Sequence, residues 1–172
     1  LIAMMVAFTR ARGESISALW LGQRPVWKEA LLGVSLVPSI FLMVVVILTS
    51  VRWFAPVLHN LETNPLEEMA TGGLMNAAAF GVVGILAGGV REELQRAFLL
   101  RRFEYFGGDK VGVVVLSIAF GLGHVVQGWD AAVTTSALGF VWALMYLWRR
   151  SSIAPLVSHA GFNSLEVLRI AI

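Results

Sequence analysis

The sequence predicts an all-α protein, a polytopic bundle of transmembrane helices that encloses a polar site. Three observations predict it. Of the 172 residues, 58% are hydrophobic and 14% charged, with a mean hydropathy of +0.78, far from the balance of a soluble domain. Five apolar runs approach the roughly 20 residues that a helix needs to cross hydrocarbon. Ionisable residues nevertheless recur inside these runs, among them Glu92, Glu93, Arg96, His124 and His159. A charge at the bilayer centre costs at least about 2.5 to 3.5 kcal/mol, so such residues ask for a chemical reason.

Taken in order, Leu1 to Phe8 is apolar but too short to cross, and reads as the tail of a truncated N-terminal helix. It lacks the basic start and small-residue cleavage site of a signal peptide. Arg10, Arg12, Arg24 and Lys28 decorate the first polar connection, with Trp20 and Trp27 expected at its interface. Ala30 to Val51 is the first full span, and its Pro38 is tolerable within a packed bundle. Residues 52–72 form an acidic connection, where Asn64-Pro65-Leu66-Glu67 carries the cap, first-turn proline and acid of a short surface helix. Gly73 to Val90 opens the second span. Its Ala77, Gly81, Gly84 and Gly88 make a small face on which another helix can pack closely. The run stays apolar through the glutamates to about Arg102, and Gly107-Gly108-Asp109-Lys110 is the turn. Val111 to Trp129, Ala131 to Trp148 and Ile153 to Ile172 complete the five spans, with Asp130 expected as an N-cap. Two parts follow: residues 1–72, with the N-terminal helices and the acidic connection, and residues 73–172, a core of four helices.

The chain has no cysteine, which excludes disulfides, thiol nucleophiles and thiolate metal sites. A net charge of +2 and a pI near 9.5 do not point to nucleic acid, because the basic residues flank spans and form no patch. They indicate orientation instead. With residues 9–29, 91–110 and 149–152 in the cytoplasm, that side holds 11 of the 13 lysines and arginines. The acidic connection and the Asp130 turn then lie outside.

Depth ties the polar residues together. Glu92 lies about 15 Å from Arg102 along its helix, His124 about 21 Å beyond Lys110, and His159 and Asn163 about 10 and 16 Å beyond Ser152. Glu92 and Glu93 point about 100° apart on a helix, so one can face a site while the other meets a partner, and Arg96 is within reach of either. Buried without full pairing, a glutamate suits general-base work. His124 follows Phe120-Gly121-Leu122-Gly123, whose glycines let a helix or a substrate backbone come close. His159 and Asn163, four apart, share a face with Glu166. They can serve as glue between helices or donate to an oxyanion. His59, in the outer connection, has no assigned role.

Glu92-Glu93, then Phe120-x-x-x-His124, then His159-x-x-x-Asn163 together resemble the CPBP family, the CAAX-protease and bacteriocin-processing intramembrane proteases, also called the type II CAAX prenyl endopeptidases. The resemblance spans the last hundred residues. It implies an intramembrane endopeptidase whose site opens toward the membrane and the cytoplasm. In it Glu92 activates water with His124 as partner, His159 and Asn163 stabilise the oxyanion, and Glu93, Arg96 and Phe120 support them. If a divalent metal such as zinc takes part, Glu92, His124 and His159 are its expected ligands. The expected substrate is a membrane protein or lipidated peptide met from the bilayer, and the expected location is a bacterial inner membrane. One departure stands out: the family usually writes Glu-Glu-x-x-x-Arg, whereas here only Leu94 and Gln95 separate Glu93 from Arg96.

Other intramembrane chemistries fit less well. The chain has no His-Glu-x-x-His helix and no Gly-x-Ser-Gly site, and its two aspartates, Asp109 and Asp130, sit at expected helix ends. The rival to a protease is a non-catalytic scaffold, chaperone or immunity protein that uses the same residues as interhelical glue. A proton-relay transporter would require a second, symmetry-related half, and the sequence has no internal repeat.

Overall fold

The computed structural model describes residues 1–171, and these are helices joined by short turns, with no strand among them. Helices α1 (Ile2–Ala11) and α2 (Ile16–Trp20) lie at one end of the bundle. Helix α3 (Val26–Phe54) contains the first expected span and runs past it at both ends, with Pro38 inside. After a 3₁₀ turn at Pro56–Leu58, α4 (Pro65–Ala70) is the expected surface helix, and the Asn64 side chain accepts from the Leu66 N–H. Then α5 (Leu74–Val83), a π-helical segment (Gly84–Glu92) and α6 (Glu93–Phe106) form one continuous rod. Helices α7 (Asp109–Leu122), α8 (Trp129–Arg149) and α9 (Ile153–Ala171) follow. The expected end of the last span, Ile172, lies outside the described residues.

Among the described residues three helices are long and apolar enough to cross a membrane, Val26–Phe54, Leu74–Phe106 and Trp129–Arg149. The expected third span does not run from Val111 to Trp129. Helix α7 stops at Leu122, and its 14 residues reach only about 21 Å against a hydrocarbon thickness of about 30 Å. Gly123 is its cap, His124 lies beyond the helix, and a 3₁₀ turn at Val125–Gln127 completes the connection. Apolar Val125 and Val126 hide this break from a hydropathy reading.

Helix α9 is the axis of the fold, packed by α3, by the π segment and α5, and by α8, on which α7 packs in turn. The small face of the second span is what meets it. A Cβ at Gly84 would lie 3.6 Å from the Asn163 Cβ, and one at Gly89 only 2.6 Å from the Ala160 Cβ. Gly33 of α3 approaches the other side, 2.7 Å from the Val157 Cβ by the same measure. Gly121 serves the α7–α8 contact, where any side chain would overlap Ser136 and the Ala132 carbonyl.

Two ends hold the bundle together. At the basic end Trp20 is buried, not interfacial, because its Nε1 donates to the Leu94 carbonyl at 3.1 Å. It joins Met5, Leu100 and Tyr146 in one apolar cluster. Glu29, fully buried, accepts from Arg149 Nε at 3.0 Å, and Arg102 pairs with Glu14. That pair holds the Glu14 carboxyl below its ordinary range. At the other end Asp130 is not the N-cap of α8. Gly128 holds that place with φ 107°, and Asp130 sits in the first turn, where a carboxylate suits the helix dipole. Its Oδ2 accepts from Arg52 Nε and pairs with His59 Nδ1, both at 2.8 Å. His59 therefore ties the outer connection to α8. Asn60 accepts from the Trp129 N–H, and Asn64 donates to Gln127, at the same seam.

Candidate active site

The site begins with the π segment. An ideal α-helix turns 100° per residue, so the nine positions from Gly84 to Glu93 would leave these two about 180° apart. In the structure both face α9. Asn163 Nδ2 donates to the Gly84 carbonyl at 2.9 Å, and Glu93 Oε1 lies 2.9 Å from His159 Nδ1. The wider π turn closes the difference, since same-face residues then recur every four to five positions, at Gly84, Gly88 or Gly89, and Glu93. Single π turns are commonly found at functional sites.

This register divides the two glutamates. Glu93 is buried, as are its partners Arg96 and His159. Arg96 grips it with Nε and Nη2, each at 3.1 Å, and uses Nη1 on the Gly139 carbonyl at 3.3 Å. The shortened Glu-Glu-x-x-Arg spacing thus still delivers the arginine to Glu93, as an i,i+3 pair. The guanidinium also lies 4.4 Å from the centre of the Phe120 ring, a cation–π contact. A charge pair removed from water in this way is offset by bidentate geometry and further hydrogen bonds. Glu92 turns instead toward open space and is only half-buried, and its Oε1 accepts from Arg91 Nη2 at 2.7 Å.

Glu92, Phe120, His124, His159 and Asn163 all border one cavity of about 1320 Å³. The structure brings these five expected residues together, while Glu93 and Arg96 stand behind its wall. Each histidine is oriented by an acceptor on Nδ1: His124 by the Phe120 carbonyl at 2.7 Å, and His159 by Glu93. A carbonyl and a carboxylate can only accept, so Nδ1 carries the proton in both and Nε2 is left for other work. Phe120 lies between the two rings, with centroids 4.8 Å from His124 and 6.0 Å from His159. Asn163 keeps one of its two amide hydrogens for the cavity after bonding Gly84.

Trp142 was not evident from the sequence. Its indole stacks on His159 with centroids 3.8 Å apart, and Gly139, one turn earlier, clears room for Phe120 and Arg96. Gly139, Trp142 and Tyr146 at helical spacing in the fourth apolar run are the only sequence trace of this face. Ser158 is not a nucleophile beside His159, since its hydroxyl accepts from Trp142 and donates to the Pro155 carbonyl. Among the described residues no three His, Asp or Glu side chains are grouped so as to hold a metal ion. Glu93, the acid that touches a site histidine, is bound to Arg96.

The cavity occupies the half of the bundle away from the basic end. Its walls are the last turns of α3, residues 61–69 of the outer connection, the start of α8 and the end of α9. Glu92, His159 and Trp142 form its floor. The expected cytoplasmic opening and the expected cytoplasmic basic rim are therefore at opposite ends of this bundle.

No curated protein and no solved structure matches the chain. A family model described as type II CAAX prenyl endopeptidase Rce1-like matches residues 73–165, more than half of the chain, and this range includes Glu92, Glu93, Arg96, Phe120, His124, Trp142, His159 and Asn163. With its long apolar helices and this match, the chain is an integral membrane protein that belongs to the Rce1-like type II CAAX prenyl endopeptidases, a family of proteases.

Proposed function

We propose that the chain is an intramembrane endopeptidase that hydrolyses a peptide bond in a membrane-associated protein or lipidated peptide. Glu92 and His124 hold a water against the scissile carbonyl. The water oxygen bonds to the carbonyl carbon as Glu92 takes its proton, and His124 Nε2 accepts the water's other hydrogen bond. The carbonyl oxygen becomes an oxyanion that the free Asn163 amide hydrogen meets, joined by His159 when Nε2 is protonated. The C–N bond then breaks, and the proton held by Glu92 passes to the departing amine. The observation that carries this reading is the division between the glutamates. Glu93 is committed to Arg96 and His159, whereas Glu92 borders the cavity beside two histidines with free Nε2 atoms.

In the same reading α7 and α9 are shorter crossings beside the three long helices, and the protein sits in a bacterial inner membrane with the basic end cytoplasmic. The test uses a farnesylated peptide with a C-terminal CAAX sequence and a fluorophore–quencher pair, in detergent. Wild type cleaves it, and Glu92→Gln and His124→Ala lower the rate by about 10² to 10⁴ without loss of fold. Full activity in Glu92→Gln would sink the mechanism. A second reading, a non-catalytic scaffold, chaperone or immunity protein, is favoured by one contact, the Arg91–Glu92 ion pair. On that reading Glu92→Gln lowers thermal stability and no cleavage is found with wild type.

A further inference from the structure

The Trp142 indole and the His159 imidazole lie face to face, with planes 16° apart. Trp142 is almost wholly buried and is itself locked: Nε1 donates to Ser158 Oγ at 3.1 Å, and Ser158 donates on to the Pro155 carbonyl at 3.0 Å. A core position asks only for volume, yet here both the flat face and the N–H are used. The need is visible at His159. Its bond to Glu93 fixes Nδ1 but leaves the ring free to swing about that contact. Phe120 meets the ring edge-on at 87°, and the indole covers its face. With all three in place Nε2 is aimed at Gly88, where an added Cβ would lie 3.7 Å from it.

We propose that Trp142 is the positioning residue of His159, holding the imidazole plane so that Nε2 keeps its aim into the cavity beside Asn163. Its effect on catalysis rests on the peptidase reading; its hold on the ring does not. Three variants separate this from simple packing. Trp142→Phe keeps a flat face, Trp142→Leu keeps apolar burial without one, and Ser158→Ala keeps the indole but frees it. With the fluorescent peptide, Trp142→Leu lowers kcat about tenfold or more while KM stays within about twofold, and Trp142→Phe recovers most of kcat. Equal kcat in the Phe and Leu variants overturns the proposal. If Trp142→Leu does not fold, Ser158→Ala carries the kinetic arm with the same direction, and an unchanged kcat there overturns it.

A second readout needs no substrate. The ring current of an indole stacked on an imidazole shifts the imidazole's carbon-bound protons upfield, so at one fixed pH the histidine resonance that is lost in His159→Gln lies upfield in the wild-type protein in detergent. It moves downfield in Trp142→Leu and less so in Trp142→Phe. A resonance that does not move in Trp142→Leu overturns the proposal. Absence of all cleavage by wild type would instead count against the peptidase reading, and this resonance alone then decides the positioning.

Discussion

Glu92 and Glu93 are neighbours in sequence with different surroundings. Glu93 is buried and makes three hydrogen bonds to Arg96 and His159, so removing Arg96 leaves a buried carboxylate held by His159 alone. Breaking such a pair from one side costs about 3 to 5 kcal/mol. Arg96→Met therefore lowers the melting temperature in detergent sharply, while the double variant Glu93→Gln with Arg96→Met recovers part of the loss. Glu92→Gln leaves melting nearly unchanged, because half-buried Glu92 loses only one contact with a partly exposed arginine. The sequence made the chemistry at this scale legible, since intramembrane glutamates, histidines and an asparagine stand out against apolar runs. It left open which glutamate Arg96 holds, because both lie within helical reach of it.

The element that makes that choice, the π segment, was not legible. Its sequence, Gly84 to Glu92, is mostly small and apolar, so no side-chain period reveals whether it turns in 3.6 residues or more. The small face itself was readable and does meet α9. Gly89, which was not among the residues of that face, comes closest of the segment's glycines to the α9 backbone, with an added Cβ 2.6 Å from Ala160 Cβ and 3.0 Å from its Cα. Gly89→Val forces α9 off the π segment, at a cost of about 1 to 3 kcal/mol, and separates Glu93 from His159. Both lower melting and lost activity are expected; wild-type melting would mean that the contact is loose. The end of α7 was hidden for a related reason. Hydropathy runs smoothly through residues 111–129, but α7 stops at Leu122 with Gly123 as its cap and leaves His124 outside the helix, bonded back to Phe120.

At the scale of the whole molecule, charge and cavity point in opposite directions. Nine lysines and arginines cluster at one end, at positions 10, 12, 24, 28, 101, 102, 110, 149 and 150, and the cavity occupies the other half, under residues 61–69. On the proposed orientation, with the basic end in the cytoplasm, a substrate would reach Glu92 from the bilayer or from the far side. The chain has no cysteine, so single cysteines report this directly. A membrane-impermeant maleimide added to intact cells labels Glu62→Cys but labels Gly107→Cys only after permeabilisation; the reverse pattern would turn the protein over and open the cavity to the cytoplasm. The central claim, that Glu92 drives proteolysis, is tested most directly by N-terminal peptide mass spectrometry of membranes from cells that express wild type or Glu92→Gln at matched levels. The account predicts new N-termini in membrane proteins with wild type alone, and identical termini from two equally abundant, equally folded proteins would contradict it.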